Sequence, residues 1–216
     1  MDETLSYALV VFTSFFTLIN PLGTMPIFMT MTADLDAQHR TRTARKASIV
    51  AFFTIIAFAF SGQLLFSFFG ISEHSFRIVG GIIFFLMGMD MLQARLARTK
   101  VDTDEQAKSY VNDISITPLA IPMICGPGAM TNAIVMMKDA DTEMKKIILI
   151  AVIAVVMLLV YLVLYSSSRI IKLLGETGNN VMMRIMGLIV MVIAVEFFLS
   201  GLRPIIADLF PIQAVG

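Results

Sequence analysis

The sequence contains few of the residues on which catalytic and metal sites usually depend. It has a single cysteine, Cys125, two histidines, His39 and His74, and no tryptophan. One cysteine excludes an intramolecular disulfide and a cysteine-based metal site, and the two histidines lie in predicted loops. An enzyme would need a nucleophile with a base, or metal ligands, around a cavity. We therefore expect no catalytic residue, no metal and no cofactor.

Charged residues are also scarce. Only 15% of the 216 residues are charged, whereas 57% are hydrophobic, and the mean hydropathy is +0.85. Soluble domains contain about 45–50% apolar and about 25% charged residues. The formal net charge is zero, so no nucleic-acid partner is expected. This composition indicates a protein that crosses the lipid bilayer several times.

Uncharged runs that could cross a hydrocarbon core of about 30 Å, roughly 20 helical residues, identify the spans. Four runs have no charge, at 4–33, 47–72, 114–137 and 147–168. Two further runs each contain one acid, namely Asp90 in 78–94 and Glu196 in 185–202. The sequence predicts an all-α polytopic membrane protein with six transmembrane helices in one integral membrane domain, 1–216.

The Lys and Arg residues are divided unevenly between the two sides of this bundle. The loops after the first, third and fifth spans carry eleven of them, and the opposite side carries five. Cytoplasmic loops are enriched in Lys and Arg, so both termini are expected outside the cell. The polar segment 95–113 is then a cytoplasmic linker.

The two halves of the chain resemble each other. "INPLG" around Pro21 matches "CGPGA" around Pro127, 106 residues later, and "RIVG" matches "RIMG" 107 residues later. Chance similarity between apolar helices is the alternative, but the acid late in each third span also falls in register. We predict a first three-helix repeat at 1–108 and a second at 109–216. A unit of three spans begins and ends on opposite sides of the membrane, so the second unit enters the membrane from the opposite side to the first. The two halves would therefore form an inverted repeat, as in many secondary transporters.

The first span contains residues that do not suit a regular helix. In "NPLGTMPIF", Asn20 precedes Pro21, which lacks an amide proton and disfavours helical geometry before it. We expect the first helix to break there. Gly23 would permit a tight reversal, and Thr24 would cap a new half-helix.

The fourth span repeats this chemistry in "PLAIPMICGPGAMT". We expect a break at Gly126, Pro127 and Gly128, with Thr131 and Asn132 opening the next half-helix. Irregular backbone in a membrane survives only inside protein or beside a watery cavity. One proline kink would mean little, whereas two breaks in corresponding positions point to a substrate site. The first and fourth helices are therefore predicted to be broken near the midplane around that site.

The charges near the breaks limit what could bind. Half-helix ends carry about half an elementary charge, and no Lys, Arg or His lies in the first or fourth span. A phosphate or dicarboxylate would lack a cationic partner, whereas a small zwitterion needs one donor cluster and one acceptor cluster. Amino acids fit this chemistry, and so do small neutral polar solutes.

Asp90 and Glu196 are the only acids well inside predicted spans. Intramembrane carboxylates are costly and are candidates for coupling to H+ or Na+. Asp90 could instead pair with Arg95 near an interface, and Glu196 with Arg203. Glu196 is the deeper of the two and the better coupling candidate.

Three segments carry a resemblance to a known family. "NPLGTMPIF", "PLAIPMICGPGAMT" and "FRIVGGIIFFLMGMDML" resemble the MarC family of bacterial inner-membrane proteins, also called the neutral amino acid transporter family. The resemblance covers essentially the whole chain. It implies six helices with periplasmic termini and transport of small neutral amino acids such as glycine and alanine. It places the functional elements at Asn20, Pro21, Gly23, Gly126, Pro127 and Gly128.

The leading hypothesis is a secondary transporter of small neutral amino acids that works by alternating access. The alternatives are an exporter of other small metabolites or drugs, and a membrane scaffold that transports nothing. An intramembrane enzyme is disfavoured because no histidine partners Asp90, Cys125 or Glu196. The sequence leaves open the substrate, the coupling ion, the direction of transport and whether the chain forms a homo-oligomer.

Overall fold

The computed structural model describes residues 3–33, 35–93 and 104–209, and every regular element in these ranges is a helix. In chain order these are α1 (Glu3–Ile19), α2 (Pro21–Met31), α3 (Ala37–Phe69), α4 (Glu73–Leu92), α5 (Asp104–Ile114), a π-helical segment (Ser115–Ile124), α6 (Pro127–Asp139) and α7 (Glu143–Leu209). The long α7 contains a non-helical residue, Gly175, and is therefore two helices in succession. The predicted all-α fold is confirmed.

In the part of the chain that the structure describes, five stretches are long and apolar enough to cross a bilayer: Thr4–Met31, Ala37–Phe69, Glu73–Leu92, Glu143–Ser167 and Asn180–Leu209. A sixth span results if Glu105–Ile124 and Pro127–Asp139 are counted together, with a bend of 61° between them. Each of the six predicted spans thus has a counterpart in the structure.

The second span begins earlier than its apolar run suggests, since α3 starts at Ala37 instead of residue 47. Asp36 is its N-cap and accepts a hydrogen bond of 2.7 Å from the backbone N–H of His39. This hydrogen bond holds the pKa of Asp36 below its ordinary value. The polar first turns of α3 therefore belong to the helix, which extends beyond its apolar part.

The segment predicted as a linker, 95–113, is helical where the structure describes it. Its first part lies mostly outside the described residues, but its second part is helix α5, which continues directly into the π-helical segment. Lys46 on α3 donates a hydrogen bond of 2.8 Å to Oδ1 of Asn112 on α5. One face of α5 is buried, through Ala107, Val111 and Ile114. Their spacing is that of an apolar helical face, so this part of the segment packs on one face and is exposed on the other.

The two third spans of the predicted repeats, α4 and the last part of α7, pack on each other through glycines. A Cβ added at Gly88 would lie 2.8 Å from the carbonyl oxygen of Gly187, and one at Gly187 would lie 2.8 Å from that of Gly88. Small residues allow helix backbones to approach closely in membranes. A reciprocal contact of this kind is expected where a twofold axis relates two equivalent elements. The inverted repeat itself stays a prediction.

Glycines also end the helix that precedes each third span. Gly70 follows α3 with φ of 63°, and Gly175 interrupts α7 with φ of 66°. A Cβ at either position would meet no atom within 4 Å. Glycine is therefore required for the left-handed backbone and not for space. The two turns occupy matching places in the two halves.

Substituting Gly88 tests the importance of this packing for stability. In Gly88→Val, the new side chain has to displace the backbone of α7, so we expect the free energy of unfolding in detergent to fall by about 1–3 kcal/mol. Thermal unfolding of the purified protein measures the change. Val79→Ile adds a methylene to an exposed side chain of the same helix and should leave the Tm unchanged. Equal effects of the two substitutions would contradict the proposed role of the glycine contact.

Candidate functional site

The first break is confined to one residue. Asn20 has left-handed backbone angles, φ of 46° and ψ of 69°, and α2 begins at the next residue. Its Oδ1 accepts a hydrogen bond of 3.1 Å from the backbone N–H of Gly23, which makes Asn20 the N-cap. Asparagine tolerates this conformation because its short side chain bonds locally. Pro21 occupies the first helical position, where a missing N–H costs nothing.

Two details predicted for this break are wrong. Thr24 is not the cap, since it lies in the first turn of α2 and its Oγ1 donates a hydrogen bond of 3.2 Å to the carbonyl of Asn20. Gly23 makes no reversal, because it is helical. Its small size is needed for another reason, namely that a Cβ there would lie 2.5 Å from Nδ2 of Asn20. Asn20 alone takes the irregular backbone, so no glycine turn is required.

The second break is longer and lies ahead of α6. The π-helical segment contains Pro118 and Pro122, and the residues before them, Thr117 and Ile121, have extended backbone angles. Proline disfavours helical geometry in the preceding residue, which explains both positions. The segment ends at Ile124, and the chain then bends by 61° into α6.

The start of α6 lies earlier than predicted. Pro127 is in the first turn and Gly126 is the N-cap residue, so Thr131 and Asn132 lie within the helix instead of opening it. Oγ1 of Thr131 donates a hydrogen bond of 2.8 Å to the carbonyl of Pro127. The sequence interpretation started the helix at these two residues, whereas proline suits the first helical position and the helix starts at Pro127.

A cavity lies between the two breaks, and we call it the core cavity. Asn20, Gly23 and Thr24 line it from the first break, and Met123 lines it from the segment before the second. The other lining side chains are apolar and belong to α1, α2, α4 and the last part of α7. The space open to the centre of a water molecule is about 40 Å³. At about 10–15 Å³ for one water, this admits roughly three.

The core cavity has a group that can donate a hydrogen bond and a group that can accept one. Among the described residues, none accepts a hydrogen bond from Nδ2 of Asn20, whose Oδ1 caps α2. The hydroxyl of Thr24 donates its proton to backbone carbonyls, which leaves its oxygen as an acceptor. An amide donor and a hydroxyl acceptor therefore lie beside the same small space.

A second cavity, which we call the vestibule, lies beside the second break. It has a volume of about 230 Å³ and is lined by Leu18, Arg77, Gly128, Thr131, Asn132, Val135 and Phe197. Leu18 also lines the core cavity. The two cavities are therefore neighbours that share one side chain as part of their walls.

The sequence interpretation missed Arg77 as a site residue. It counted Arg77 only among the basic residues of the outer side, although the residue opens the repeated motif "RIVG". The position within a repeated motif was the available signal. In the structure Arg77 is half-buried on α4 and lines the vestibule, whereas its counterpart Arg184 is exposed.

The remaining predicted site residues lie elsewhere. Pro21, Gly126 and Pro127 are buried and support the breaks without lining either cavity. Gly126 packs against Phe84 of the core cavity, and Pro127 packs against Gly80 of α4. These residues shape the site through packing, and Gly128, Thr131 and Asn132 belong to the vestibule.

Neither coupling candidate belongs to the site. Asp90 and Glu196 are exposed on the outside of the bundle, and neither lines the core cavity or the vestibule. Arg95, the predicted partner of Asp90, lies outside the described residues. Glu196 and Arg203 form no ion pair, although both are described. Their role in coupling stays a prediction.

Comparison with known proteins places this architecture in a family. A family model described as "MarC family integral membrane protein" matches residues 5–206. The chain belongs to the MarC family. The UPF0056 membrane protein PH0760 of Pyrococcus horikoshii is 37% identical over 203 residues, which cover 94% of this chain and 98% of that protein. The UPF0056 membrane protein YvbG of Bacillus subtilis is 36% identical over 209 residues, covering 96% and 97%.

Membership of the MarC family confirms the resemblance and the integral, multi-pass membrane character of the chain. The matched region contains both breaks and all the residues that line the two cavities. Similar proteins occur in bacteria and in archaea. No solved structure matches the chain.

Two substitutions of Asn20 separate its backbone role from its capping role. Asn20→Ala loses the cap and disfavours the left-handed conformation, so we expect a loss of about 2 kcal/mol in the free energy of unfolding. Asn20→Gly loses the cap but accepts positive φ, so the loss should be below about 1 kcal/mol. Thermal unfolding in detergent measures both. Equal losses would show that the left-handed backbone at Asn20 contributes nothing to stability.

Proposed function

We propose that this protein is a secondary transporter of small neutral amino acids, such as glycine and alanine, and works by alternating access. The observation that carries the proposal is the core cavity, which lies between two broken spans and contains polar groups of the first break. We further propose that it is a transporter and not an enzyme, and that it resides in the bacterial inner membrane with both termini in the periplasm.

The polar groups of the core cavity complement a zwitterion. Nδ2 of Asn20 can donate to a carboxylate, and Oγ1 of Thr24 can accept from an ammonium group. The rest of the wall is apolar and includes Met87, Met91 and Met123. Methionine adapts its shape readily, so such a wall suits a small apolar side chain on the substrate.

The size of the core cavity favours small substrates. Pockets for drug-sized ligands measure about 300–1,000 Å³, far above the roughly 40 Å³ found here. In this conformation the cavity would admit only a solute of a few heavy atoms. This supports glycine and alanine over the alternative of drug export. A substrate larger than the cavity could enter only after rearrangement of the helices around it, which alternating access provides.

Coupling of transport to H+ or Na+ can use an acidic side chain that lies where the ion and the substrate bind. Among the residues that the structure describes, no Asp or Glu lines either cavity. A coupling ion bound with the substrate would therefore contact Asn20, Thr24 and backbone carbonyls. Because Asp90 and Glu196 line neither cavity, we propose, in contrast to the prediction from the sequence, that coupling does not depend on them.

Uptake of labelled glycine and alanine into proteoliposomes tests the proposed function. Saturable uptake by the wild type should be larger for these two than for leucine, because the cavity is small. Gly23→Ala should abolish it, since the added methyl group displaces the Asn20 amide from the cavity wall. Gly62→Ala is the matched control, because the atoms nearest to its methyl group belong to Ile134, which lines neither cavity. Absence of uptake by folded wild-type protein under every imposed gradient would refute the proposal.

Substitution of the two acids tests the coupling argument. We expect Asp90→Asn and Glu196→Gln to keep gradient-driven uptake at the wild-type level, because both side chains lie outside the cavities. The measurement is accumulation under imposed H+ and Na+ gradients, compared with exchange at zero gradient. Loss of accumulation with exchange preserved would instead identify the substituted acid as a coupling residue.

A further inference from the structure

The vestibule combines a cation, an amide and an open space. Arg77 reaches it from α4, and Asn132 reaches it from the second turn of α6. Cationic side chains inside membrane spans usually face a cavity or a partner and mark a functional site. Neither side chain lines the core cavity, so the proposed substrate site uses neither of them.

Both side chains contain buried nitrogen atoms that form no hydrogen bond. Nε of Arg77 and Nδ2 of Asn132 are each buried without a partner among the described residues. Such atoms are rare because each loses its hydration without compensation. Two of them beside one cavity indicate a ligand that accepts hydrogen bonds and that would satisfy both after rotation of the side chains.

The charge of the vestibule limits the ligand further. Within the described ranges, Arg77 is the only charged residue that lines it. One guanidinium balances one negative charge, and its planar donors match the two oxygens of a carboxylate. A dianionic phosphate would leave one charge without a partner in the membrane.

We propose that the vestibule is a binding site for the carboxylate of a small solute, held by Arg77 and Asn132 before the solute enters the core cavity. Carboxylate binding itself is independent of the proposed transport, whereas entry into the core cavity rests on it. Leu18 lines both cavities and forms part of the wall between them. Ile193 lines the core cavity, and Phe197, one helical turn later, lines the vestibule. The two cavities therefore share one lining residue and have lining residues one helical turn apart on the last part of α7.

Direct binding of acetate tests the site without any assumption about transport. The Tm of the purified protein in detergent is measured with sodium acetate, and with acetamide plus sodium chloride at the same ionic strength. Acetate should raise the Tm of the wild type, and acetamide should not. The effect should disappear in Arg77→Gln and should remain in Arg203→Gln, which removes an exposed arginine of α7.

Two further variants keep the test decisive if Arg77→Gln does not fold. Arg77→Lys retains the charge without the planar fork, and Asn132→Ala retains Arg77 without the amide, so acetate should stabilise each less than the wild type. Equal stabilisation of the wild type and all folded vestibule variants would overturn the proposal. So would equal effects of acetate and acetamide on the wild type.

Uptake measurements then separate this proposal from the proposed function. In Arg77→Gln, the glycine concentration for half-maximal uptake should rise about tenfold or more, with the maximal rate preserved, because a charge-assisted contact is lost. An unchanged value would overturn the role of the vestibule in entry, and glycine transport would stand. Stabilisation by acetate in a wild type that transports no amino acid would support the carboxylate site and refute the proposed function.

Discussion

A backbone amide or carbonyl without a hydrogen-bond partner costs several kcal/mol in hydrocarbon, and this constraint governs the arrangement around both breaks. At the first break Oδ1 of Asn20 accepts a hydrogen bond from the N–H of Gly23, which would otherwise have no partner. The helix that follows is surrounded by protein, since nine of the eleven residues of α2 are buried. The irregular backbone is therefore kept away from lipid by the helices around it.

Close helix packing supplies that enclosure. Gly88 and Gly187 bring α4 and the last part of α7 together, and Gly126 lets the second break approach Phe84 of α4. Larger residues at these positions would separate the helices that form the cavity walls. The same glycines thus stabilise the bundle and keep the core cavity small, which links the stability of the fold to the size of solute that it can enclose.

Sequence patterns predicted the spans, the first break and the approximate position of the second, because hydropathy and the chemistry of proline act over short distances along the chain. They did not predict that Asn20 would cap α2, since asparagine, glycine and threonine all suit helix starts and only the actual backbone angles distinguish them. The helical character of α5 was missed because its apolar face is formed by only a few residues within a polar segment. The polar residues of this segment predicted a linker, and contacts with other parts of the protein bury one face of the helix that it forms.

The roles of the charged residues depended on tertiary structure that no local pattern contains. Asp90 and Glu196 were favoured because acids are rare in spans, yet their helices turn them to the outside of the bundle. Arg77 was taken for a loop charge, yet α4 directs it to a cavity beside the second break. A helix in a bundle has one face toward its neighbours and one toward lipid, and hydropathy does not distinguish a charge on the first face from a charge on the second.

The position of Leu18 connects the two cavities with the first break. Leu18 belongs to the last turn of α1, whereas Gly23 and Thr24 of the core cavity belong to α2, and Asn20 is the only residue between the two helices. A change in the backbone angles of Asn20 would therefore move Leu18 relative to the polar groups of the core cavity. Hinges in proteins are commonly a few residues at the ends of helices that absorb such changes. Asn20 caps α2 and lines the core cavity. In the proposed transport, it would also be the hinge about which Leu18 moves.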